Sequence, residues 1–288
     1  MEGYSATRPR RFVLGEIGGD VKKLSFIQWF GGKGMLLKFL KQYIPPHRFY
    51  GELFGGGAAL LLNKEPAERE YYNDLDERLW RLFTAVKEDK QFQAKADLLL
   101  HSRRLFKRWR YESTDPFGIF YTGKSSFSGF YGSAWTSAVG AKSRGLSASA
   151  SAFLSAVRRL DDIHQRLRDV IVTRLDWRQW IEKYNPDFED WFLYLDPPYV
   201  GATRRSGGYK HEMTDSDHEE IIEFCLSAKC HIMLSGYDNK IYRRLEEAGW
   251  RKVVREMPCH AAAKTRATGL QGSGVCSRKI RSALNAFG

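Results

Sequence analysis

The sequence alternates short apolar segments of strand length with longer segments of helical periodicity, and this alternation restricts the fold more than any other feature. Residues 75–87 and 217–226 repeat apolar side chains at helical spacing, and Thr214, Asp215 or Ser216 can cap the second helix. Strands that alternate with helices form a mostly parallel sheet covered on both faces, so we predict an α/β fold. The predicted strands are residues 49–54, 170–174, 191–195, 231–235 and 252–256.

Residues 101–165 interrupt the alternation of strands and helices. This segment contains ten Lys and Arg residues against four Asp and Glu residues, together with a stretch rich in Gly, Ser and aromatic residues at 117–132. Basic and stacking side chains together suit phosphates and bases, which favours a nucleic-acid-binding insert over a helical subdomain whose aromatic residues only form a core. We therefore predict a main domain of residues 22–100 and 166–288, an inserted module at 101–165 with a basic and aromatic surface, and a flexible leader at 1–21.

The overall composition indicates which kind of partner the protein binds and in which compartment we expect it. The net charge of +12 favours a polyanionic partner over an ordinary basic surface, but it does not separate DNA from RNA. No apolar run approaches the roughly 20 residues of a membrane helix, and the N-terminal residues do not resemble a signal peptide. We expect a cytoplasmic monomer or weak dimer without membrane association. The chain has four cysteines, Cys225, Cys230, Cys259 and Cys276. They form no C-x-x-C pair and have no histidine at zinc-finger spacing, so we expect no metal site.

A stiff polar loop follows the predicted strand at 191–195. In an open parallel sheet, ligands bind just beyond the carboxyl ends of the strands. Pro197 and Pro198 fix two φ angles and remove two N–H donors, so the loop presents a carboxylate, carbonyl oxygens and an aromatic face. An exocyclic amine such as adenine N6 would donate to Asp196 and to the Pro197 carbonyl, with Tyr199 stacked on the ring. The alternative is an ordinary proline-rich turn.

A glycine loop at residues 55–57 follows the predicted strand 49–54 and precedes an apolar stretch at 60–62, which we predict to start a helix. Such a loop lets a ligand approach the backbone closely. Asp74 stands about twenty residues further on, at the end of the next strand, where an acid commonly binds a ribose hydroxyl pair. Asp76 is close enough to compete for that role, and a helix N-cap is the alternative role for Asp74.

Upstream of this loop, an aromatic residue, a glycine turn and a lysine precede a predicted helix at 35–43. Lys33 would pair with the carboxylate of a ligand, and Trp29 would pack on a cofactor. Taken alone, the segment is also typical of a generic turn before a helix.

Taken together, these motifs resemble those of the D12 class of N6-adenine DNA methyltransferases, the Dam-like alpha group. The motifs are W-x-G-G-K at 29–33, E-x-F-x-G-G at 52–57, N-D-L-D at 73–76 and D-P-P-Y at 196–199, and the resemblance covers about residues 26–250. The basic insert lies between the cofactor motifs and the catalytic motif, as the target-recognition module does in that class. The resemblance therefore implies that 22–100 and 166–288 form the catalytic methyltransferase domain and that 101–165 is a mainly helical target-recognition module. The resemblance implies a Rossmann-like fold and a site-specific enzyme that moves a methyl group from S-adenosyl-L-methionine to N6 of a flipped adenine in double-stranded DNA.

The resemblance also implies roles for individual residues. The loop 201–211 would form a flap over the flipped base, residues 235–238 would line the target pocket, and Asp176 is a weaker candidate near the cofactor adenine. The implied catalytic residues are Asp196, Pro197, Pro198 and Tyr199. The implied cofactor-binding residues are Trp29, Gly32, Lys33, Glu52, Phe54, Gly56, Asp74, Asp176 and Asp196. The candidate DNA contacts are Arg103, Arg104, Lys107, Arg108, Arg110, Lys124, Phe127, Phe130, Tyr131, Tyr209 and Lys210.

The sequence departs from the pattern of this class at a few positions. Leu53 stands where the class often has proline, and Ala58 stands where a further glycine is common. The Glu–Leu–Asn pattern of the closing strand is met only by Leu284 and Asn285. The segment at 280–285, which would form the closing strand, therefore matches the class less well than the upstream motifs do.

Three other activities are compatible with the same motifs. Related D/N-P-P-Y/F loops methylate adenine in RNA, but the size of the insert and the motif order favour DNA. N4-cytosine methylation uses the same amine chemistry, although serine usually opens that loop. A DNA-binding protein on a decayed methyltransferase scaffold is the third alternative, and intact Asp196, Asp74 and Lys33 argue against it. A cognate restriction endonuclease and a bacterial or phage-infected host are left open.

Overall fold

A computed structural model of the protein describes residues 23–29, 31–111, 113–137, 141–198, 212–236, 239–255 and 280–284. The predicted leader at 1–21 lies outside the described residues. The same holds for five predicted site residues or pocket residues: Tyr199, Tyr209, Lys210, Tyr237 and Asp238.

A seven-stranded sheet forms the centre of the described structure, in the order β5-β2-β1-β6-β7-β9-β8. The first five strands in this order run parallel, and β9 pairs antiparallel with both β7 and β8. The strands are β1 (Phe49–Glu52), β2 (Arg69–Asn73), β5 (Val170–Thr173), β6 (Trp191–Leu195), β7 (His231–Gly236), β8 (Arg251–Arg255) and β9 (Ile280–Leu284), and a separate ribbon pairs β3 (Lys142–Ser143) with β4 (Leu146–Ser147). This arrangement confirms the predicted α/β fold of Rossmann-like type.

The strand order reverses between β1 and β6. The chain adds β2 and β5 on one side of β1, then returns to its other side to add β6 and β7. At such a switch point the connections leave in opposite directions and open a crevice at the carboxyl ends of the strands. The crevice therefore lies where β1 and β6 end, which is also where the glycine loop and Asp196 begin.

Both faces of the sheet are buried at β6, as the continuous apolar run of this strand requires. Alternate residues of a strand point to opposite faces, so Phe192 and Tyr194 join one core cluster while Trp191, Leu193 and Leu195 join the other. Because the side chains of β6 alternate between two cores, one on each face of the sheet, none of its residues is exposed.

Ten α-helices occur among the described residues: α1 (Leu37–Leu40), α2 (Glu77–Glu88), α3 (Phe92–Asp97), α4 (Arg103–Trp109), α5 (Pro116–Ser125), α6 (Ala148–Val157), α7 (Leu160–Leu167), α8 (Trp177–Tyr184), α9 (Asp215–Ser227) and α10 (Arg243–Glu247). The two helices predicted from periodicity, α2 and α9, are confirmed. Asp76 caps α2, and Thr214 forms a capping box with Asp217 at the start of α9. In the described part of the chain, no helix has both the length and the apolar character that crossing a membrane demands.

Two other helix predictions were wrong or only partly right. Residues 35–43 form α1 between two short 3₁₀ turns rather than one helix. Residues 60–62 form turns instead of starting a helix. The Leu61 N–H donates to the Glu52 carboxylate at 2.9 Å, and Ala58 adopts a φ of 50°, a conformation that glycine takes more readily. The N–H groups of Leu62 and Lys64 keep backbone partners four residues earlier, but that of Leu61 donates to the Glu52 side chain, so the run of helical hydrogen bonds is interrupted at Leu61.

The segment 101–165 is mainly helical and packs directly on the main core. Phe106, Phe120 and Phe153 are buried in the same cluster as Tyr72 of β2 and Phe83 of α2. The aromatic residues of this segment thus divide into buried ones, which hold it on the sheet, and exposed ones. The division of the chain into a catalytic domain and an inserted module remains a prediction.

Candidate active site

One pocket opens at the carboxyl ends of β1, β2, β5 and β6, in the crevice described above. Its walls come from the segment before α1, the glycine loop, the start of α2, the start of α8 and the residues that precede and begin α9. The structure brings together around it all nine residues that the sequence nominated for a cofactor: Trp29, Gly32, Lys33, Glu52, Phe54, Gly56, Asp74, Asp176 and Asp196.

Asp196 lies at the end of β6 and forms a partly buried ion pair with Lys33. The Lys33 Nζ atom is 2.5 Å from Asp196 Oδ2 and 2.9 Å from the Gly31 carbonyl oxygen. Burial raises the pKa of Asp196, and the nearby charge of Lys33 opposes that shift. In the described part of the chain, Oδ1 of Asp196 is buried and accepts no hydrogen bond. The carboxylate therefore keeps one free acceptor.

The two prolines after Asp196 shape the same end of the pocket. Pro197 is buried, and Pro198 lines the pocket. Neither has an N–H that could compete for the carbonyl oxygens or for Asp196. The loop can therefore accept hydrogen bonds from a ligand but cannot donate them from these two positions.

The glycine loop and Asp74 are joined by hydrogen bonds. The N–H of Gly56, at a φ of 50°, donates to Asp74 Oδ2 at 2.8 Å, and the Asp76 N–H donates to Oδ1 at 2.8 Å. Asp76, whose carboxylate accepts from the Arg78 N–H, is the N-cap of α2, so the alternative role of Asp74 as that cap is excluded. Desolvation raises the pKa of Asp74 to about 6.

Close packing explains the need for glycine at position 55, and it yields a stability prediction. A Cβ atom at Gly55 would lie 2.2 Å from the ring of Tyr72, which is fully buried and stacked on Phe83. We expect Gly55→Ala to lower the free energy of unfolding by about 1–3 kcal/mol, the usual cost of overpacking. Gly57→Ala is the matched control, because its Cβ would meet no atom closer than 3.7 Å. Urea denaturation of both variants checks this, and equal stabilities would contradict the packing argument.

Glu52 is a buried acid at the inner end of the pocket. Its carboxylate accepts from the Tyr50 hydroxyl at 2.8 Å and from the Leu61 N–H at 2.9 Å. Burial raises the pKa of Glu52 to about 8, which the two hydrogen bonds only partly offset. Glu52 is therefore mostly protonated at neutral pH, and it holds the turns after the glycine loop against β1.

Asn73 is a pocket-forming residue whose role the sequence did not reveal. Its side-chain amide donates to the carbonyls of Leu53 at 3.0 Å and Leu175 at 2.9 Å, and its Oδ1 accepts from the Leu175 N–H at 2.9 Å. Leu53 and Leu175 both line the pocket. One buried amide thus fixes the ends of three neighbouring strands, a role visible only once the strands are adjacent.

Asp176 and Arg178 form the outer rim of the pocket. Asp176 caps α8 by accepting from the Arg178 N–H at 2.9 Å. The Arg178 guanidinium reaches Asp217 at 2.6 Å and Glu220 at 2.5 Å, which links the starts of α8 and α9. The pair keeps Asp176 at the mouth of the pocket while α9 closes one side.

The predicted DNA contacts lie in two places on the insert. The exposed residues of α4 are Arg103, Arg104, Lys107 and Arg108. Phe127 and Phe130 are exposed by 57% and 38%, respectively. Lys124 differs from these because it is half-buried, and burial together with the charge of Arg159 lowers its pKa to about 8.

Two further predicted contacts turn toward protein atoms. Arg110 donates from Nε to the Gly132 carbonyl at 3.1 Å, and Tyr131 packs against Trp29 with ring centroids 6.0 Å apart. The Arg110 hydrogen bond lies within the insert, whereas Tyr131 packs the insert against Trp29 of the pocket wall. The roles of both residues toward DNA remain predictions.

The described residues contain no group of three or more His, Cys, Asp or Glu side chains that could hold a metal ion. Cys225 and Cys230 are buried and form no disulfide bond among the described residues, and burial raises the pKa of Cys230 to about 12. Both belong to one buried core cluster and do not line the pocket.

Comparison with known proteins identifies one family. The sequence model described as D12 class N6 adenine-specific DNA methyltransferase matches residues 29–256, which extend from the tryptophan before α1 to the residue after β8. The matched range contains every residue of the pocket. A search among curated proteins found no match.

Proposed function

The chain belongs to the D12 class of N6 adenine-specific DNA methyltransferases, and we propose that it moves a methyl group from S-adenosyl-L-methionine to N6 of an adenine flipped out of duplex DNA. The family establishes the class of reaction. The donor, the flipped base and the residues that act on them form our proposal.

The observation that carries this proposal is the unused acceptor on Asp196. Oδ1 is buried at the end of β6 without a hydrogen-bond partner among the described residues, while Oδ2 is held by Lys33. A buried acceptor without a partner is costly unless a ligand supplies a donor. Adenine N6 carries two N–H donors, of which Asp196 accepts one and the Pro197 carbonyl accepts the other.

S-Adenosyl-L-methionine fits the remainder of the pocket. Asp74 would accept from the ribose hydroxyls, Asp176 would lie beside the adenine, and Glu52, Phe54 and Gly56 would surround the methionine part; all five residues line the pocket. Gly56 lacks a side chain where a Cβ would lie 3.3 Å from the Trp29 ring, which leaves room between the loop and that ring. When bound, this cofactor supplies an electrophilic methyl group.

The residues of the chain act on the target amine by position and charge. Two acceptors draw the N6 lone pair out of conjugation with the ring and point it toward the methyl group. After transfer, the amine carries an excess proton, and Asp196 accepts it at Oδ1, the carboxylate oxygen that has no hydrogen-bond partner among the described residues. Lys33 holds the carboxylate in place through Oδ2.

Duplex DNA binds to the insert, which carries the exposed basic and aromatic side chains. The exposed basic residues of α4 are suited to phosphates, and the exposed rings of Phe127 and Phe130 are suited to bases. Because N6 is unreachable inside the stack, the target adenine has to leave the duplex before reaction. Affinity for DNA should fall as salt concentration rises, because each phosphate contact releases counterions.

A methyl-transfer assay tests the proposal. Purified protein is incubated with methyl-labelled S-adenosyl-L-methionine and either unmethylated duplex DNA or structured RNA, and the nucleosides of the product are separated. We expect label only in N6-methyladenine from DNA, and sequencing of that DNA would give the target site. Label in RNA, or in N4-methylcytosine, would replace the proposed substrate. Absence of transfer together with absence of cofactor binding in calorimetry would identify a DNA-binding protein on a methyltransferase scaffold.

A further inference from the structure

A loop of the insert, residues 125–136, has one side toward solvent and the other toward the pocket. We call it the aromatic loop. On the outer side, the rings of Phe127 and Phe130 are exposed. On the inner side, the half-buried ring of Tyr131 lies against Trp29, which lines the pocket. The segment proposed to contact DNA therefore also supports a wall of the cofactor pocket.

The aromatic loop is closed by its own hydrogen bonds. The Phe127 N–H donates to the Ala134 carbonyl at 2.8 Å, and the Thr136 N–H donates to the Ser125 carbonyl at 2.9 Å. Inside the loop, the Gly132 N–H donates to Ser126 Oγ at 3.0 Å. A loop tied in this way moves as a unit, so a shift of its outer side displaces Tyr131 as well.

Arg78 of α2 joins this loop to the pocket. Its guanidinium lies 4.4 Å from the centroid of the Tyr131 ring and 5.2 Å from that of Trp29. The same guanidinium is hydrogen-bonded to both carboxylate oxygens of Asp76, the N-cap of α2, so its position is fixed from the protein side. Arg78 itself lines the pocket two residues after Asp76, whose N–H holds Asp74.

We infer that Arg78 is a positioning residue that couples the binding of the cofactor to the binding of DNA. Contact of DNA with the aromatic loop fixes Tyr131, and the stacked guanidinium passes that constraint to Trp29 on one side and to the Asp76–Asp74 segment on the other. By reciprocity, a cofactor seated against Trp29 and Asp74 orders the loop for DNA. This inference rests on the proposed function, which supplies both ligands.

The chemistry of the contact requires arginine. A planar guanidinium can stack on two aromatic rings while it donates to a carboxylate, whereas a lysine ammonium offers a point charge without a plane. Arg78→Lys therefore keeps a cation beside Asp76 but removes the stacking on Tyr131 and Trp29. Tyr131→Leu removes the ring from the opposite side of the contact and leaves Arg78 and Asp76 in place.

Calorimetric titration tests this coupling. S-Adenosylhomocysteine, the demethylated form of the cofactor, is titrated into the full chain with and without a saturating unmethylated DNA duplex. In the wild-type protein, we expect the duplex to tighten the binding of S-adenosylhomocysteine about fivefold or more. S-Adenosylhomocysteine should tighten the binding of the duplex by the same factor. For Arg78→Lys and Tyr131→Leu, both ligands should still bind and the factor should fall toward one. Arg81→Lys is the matched control, since Arg81 lies one turn further along α2 and pairs with Glu77.

The outcomes separate the two levels of the proposal. Independent binding of both ligands to the wild-type protein would overturn the coupling and leave the proposed function standing. Retention of the wild-type factor by both Arg78→Lys and Tyr131→Leu would show that the coupling takes another route. If the wild-type protein bound neither ligand, the proposed function itself would fail. Thermal unfolding of each variant verifies that it is folded before titration.

Discussion

Replacement of Asp196 by alanine should leave a folded protein that methylates DNA about a thousandfold more slowly, the size of loss seen when a preorganised group at a reaction centre is removed. The variant lacks both Oδ1, the free acceptor for N6, and the group that receives the proton after transfer. Asp196→Asn should lose less activity, since its amide oxygen still accepts a hydrogen bond. Initial rates with saturating cofactor and DNA measure both variants.

The ion pair complicates the interpretation of this variant, because alanine leaves buried Lys33 without its carboxylate partner and such a loss can destabilise a protein by about 3–5 kcal/mol. Thermal unfolding therefore accompanies the rates. If Asp196→Ala does not fold, the double variant Lys33→Met/Asp196→Ala removes both charges and should be folded but inactive. Asp190→Ala, at an exposed pair with Arg48, is a control that should keep wild-type activity. A folded Asp196→Ala enzyme with wild-type rates would refute the role of this residue.

Asp74→Ala should raise the KM for S-adenosyl-L-methionine roughly 10- to 100-fold while kcat changes much less. Hydrogen bonds to a charged group contribute about 1.5–3 kcal/mol, which corresponds to this range. The alanine also releases the N–H groups of Gly56 and Asp76, so the glycine loop loses its link to β2. Steady-state kinetics with varied cofactor and saturating DNA test the split. A fall in kcat with an unchanged KM would place Asp74 outside the cofactor site.

The pKa of Asp74 adds a pH dependence with a definite sign. Desolvation raises this pKa to about 6, so the carboxylate is mostly ionised at pH 7 and becomes protonated as the pH falls below 6. Protonation removes an acceptor for the ribose hydroxyls, and the KM for the cofactor should therefore rise toward acid, by at most about tenfold per pH unit. Asp74→Asn cannot titrate, so its KM should be higher than that of the wild type at pH 7 and flat between pH 5 and 7. A wild-type KM that falls toward acid would contradict this assignment.

Local pattern predicted the sheet and its ligand-binding edge well. The apolar run 191–195 matches β6 residue for residue, because a strand buried on both faces needs apolar side chains at every position. The apolar run at 60–62 misled for a physical reason. Its backbone hydrogen bonds go partly to Glu52, nine residues earlier, and helix propensity contains no information about such a partner.

In the site, too, the sequence identified some residues, while the contacts between them depend on the fold. The ends of strands identified Asp74 and Asp196, whereas the contact between Lys33 and Asp196 joins residues 163 positions apart and depends on the folded sheet. Arg78 was missed because an arginine after a helix cap usually faces solvent. Only the folded chain places two aromatic rings beside it, Tyr131 from the insert and Trp29 from the segment before α1.

The position of β9 has a consequence for the synthesis of the protein. Residues 280–284 form the strand between β7 and β8, so in the described sheet β8 is attached through a strand that follows it in the sequence. During translation, β8 leaves the ribosome before its neighbour exists, and β7 keeps an open edge until then. A chain cut before residue 280 would therefore contain every pocket residue and still expose two unpaired strand edges. Cellular quality control acts on chains with open strand edges, which ties the supply of folded protein to synthesis through β9.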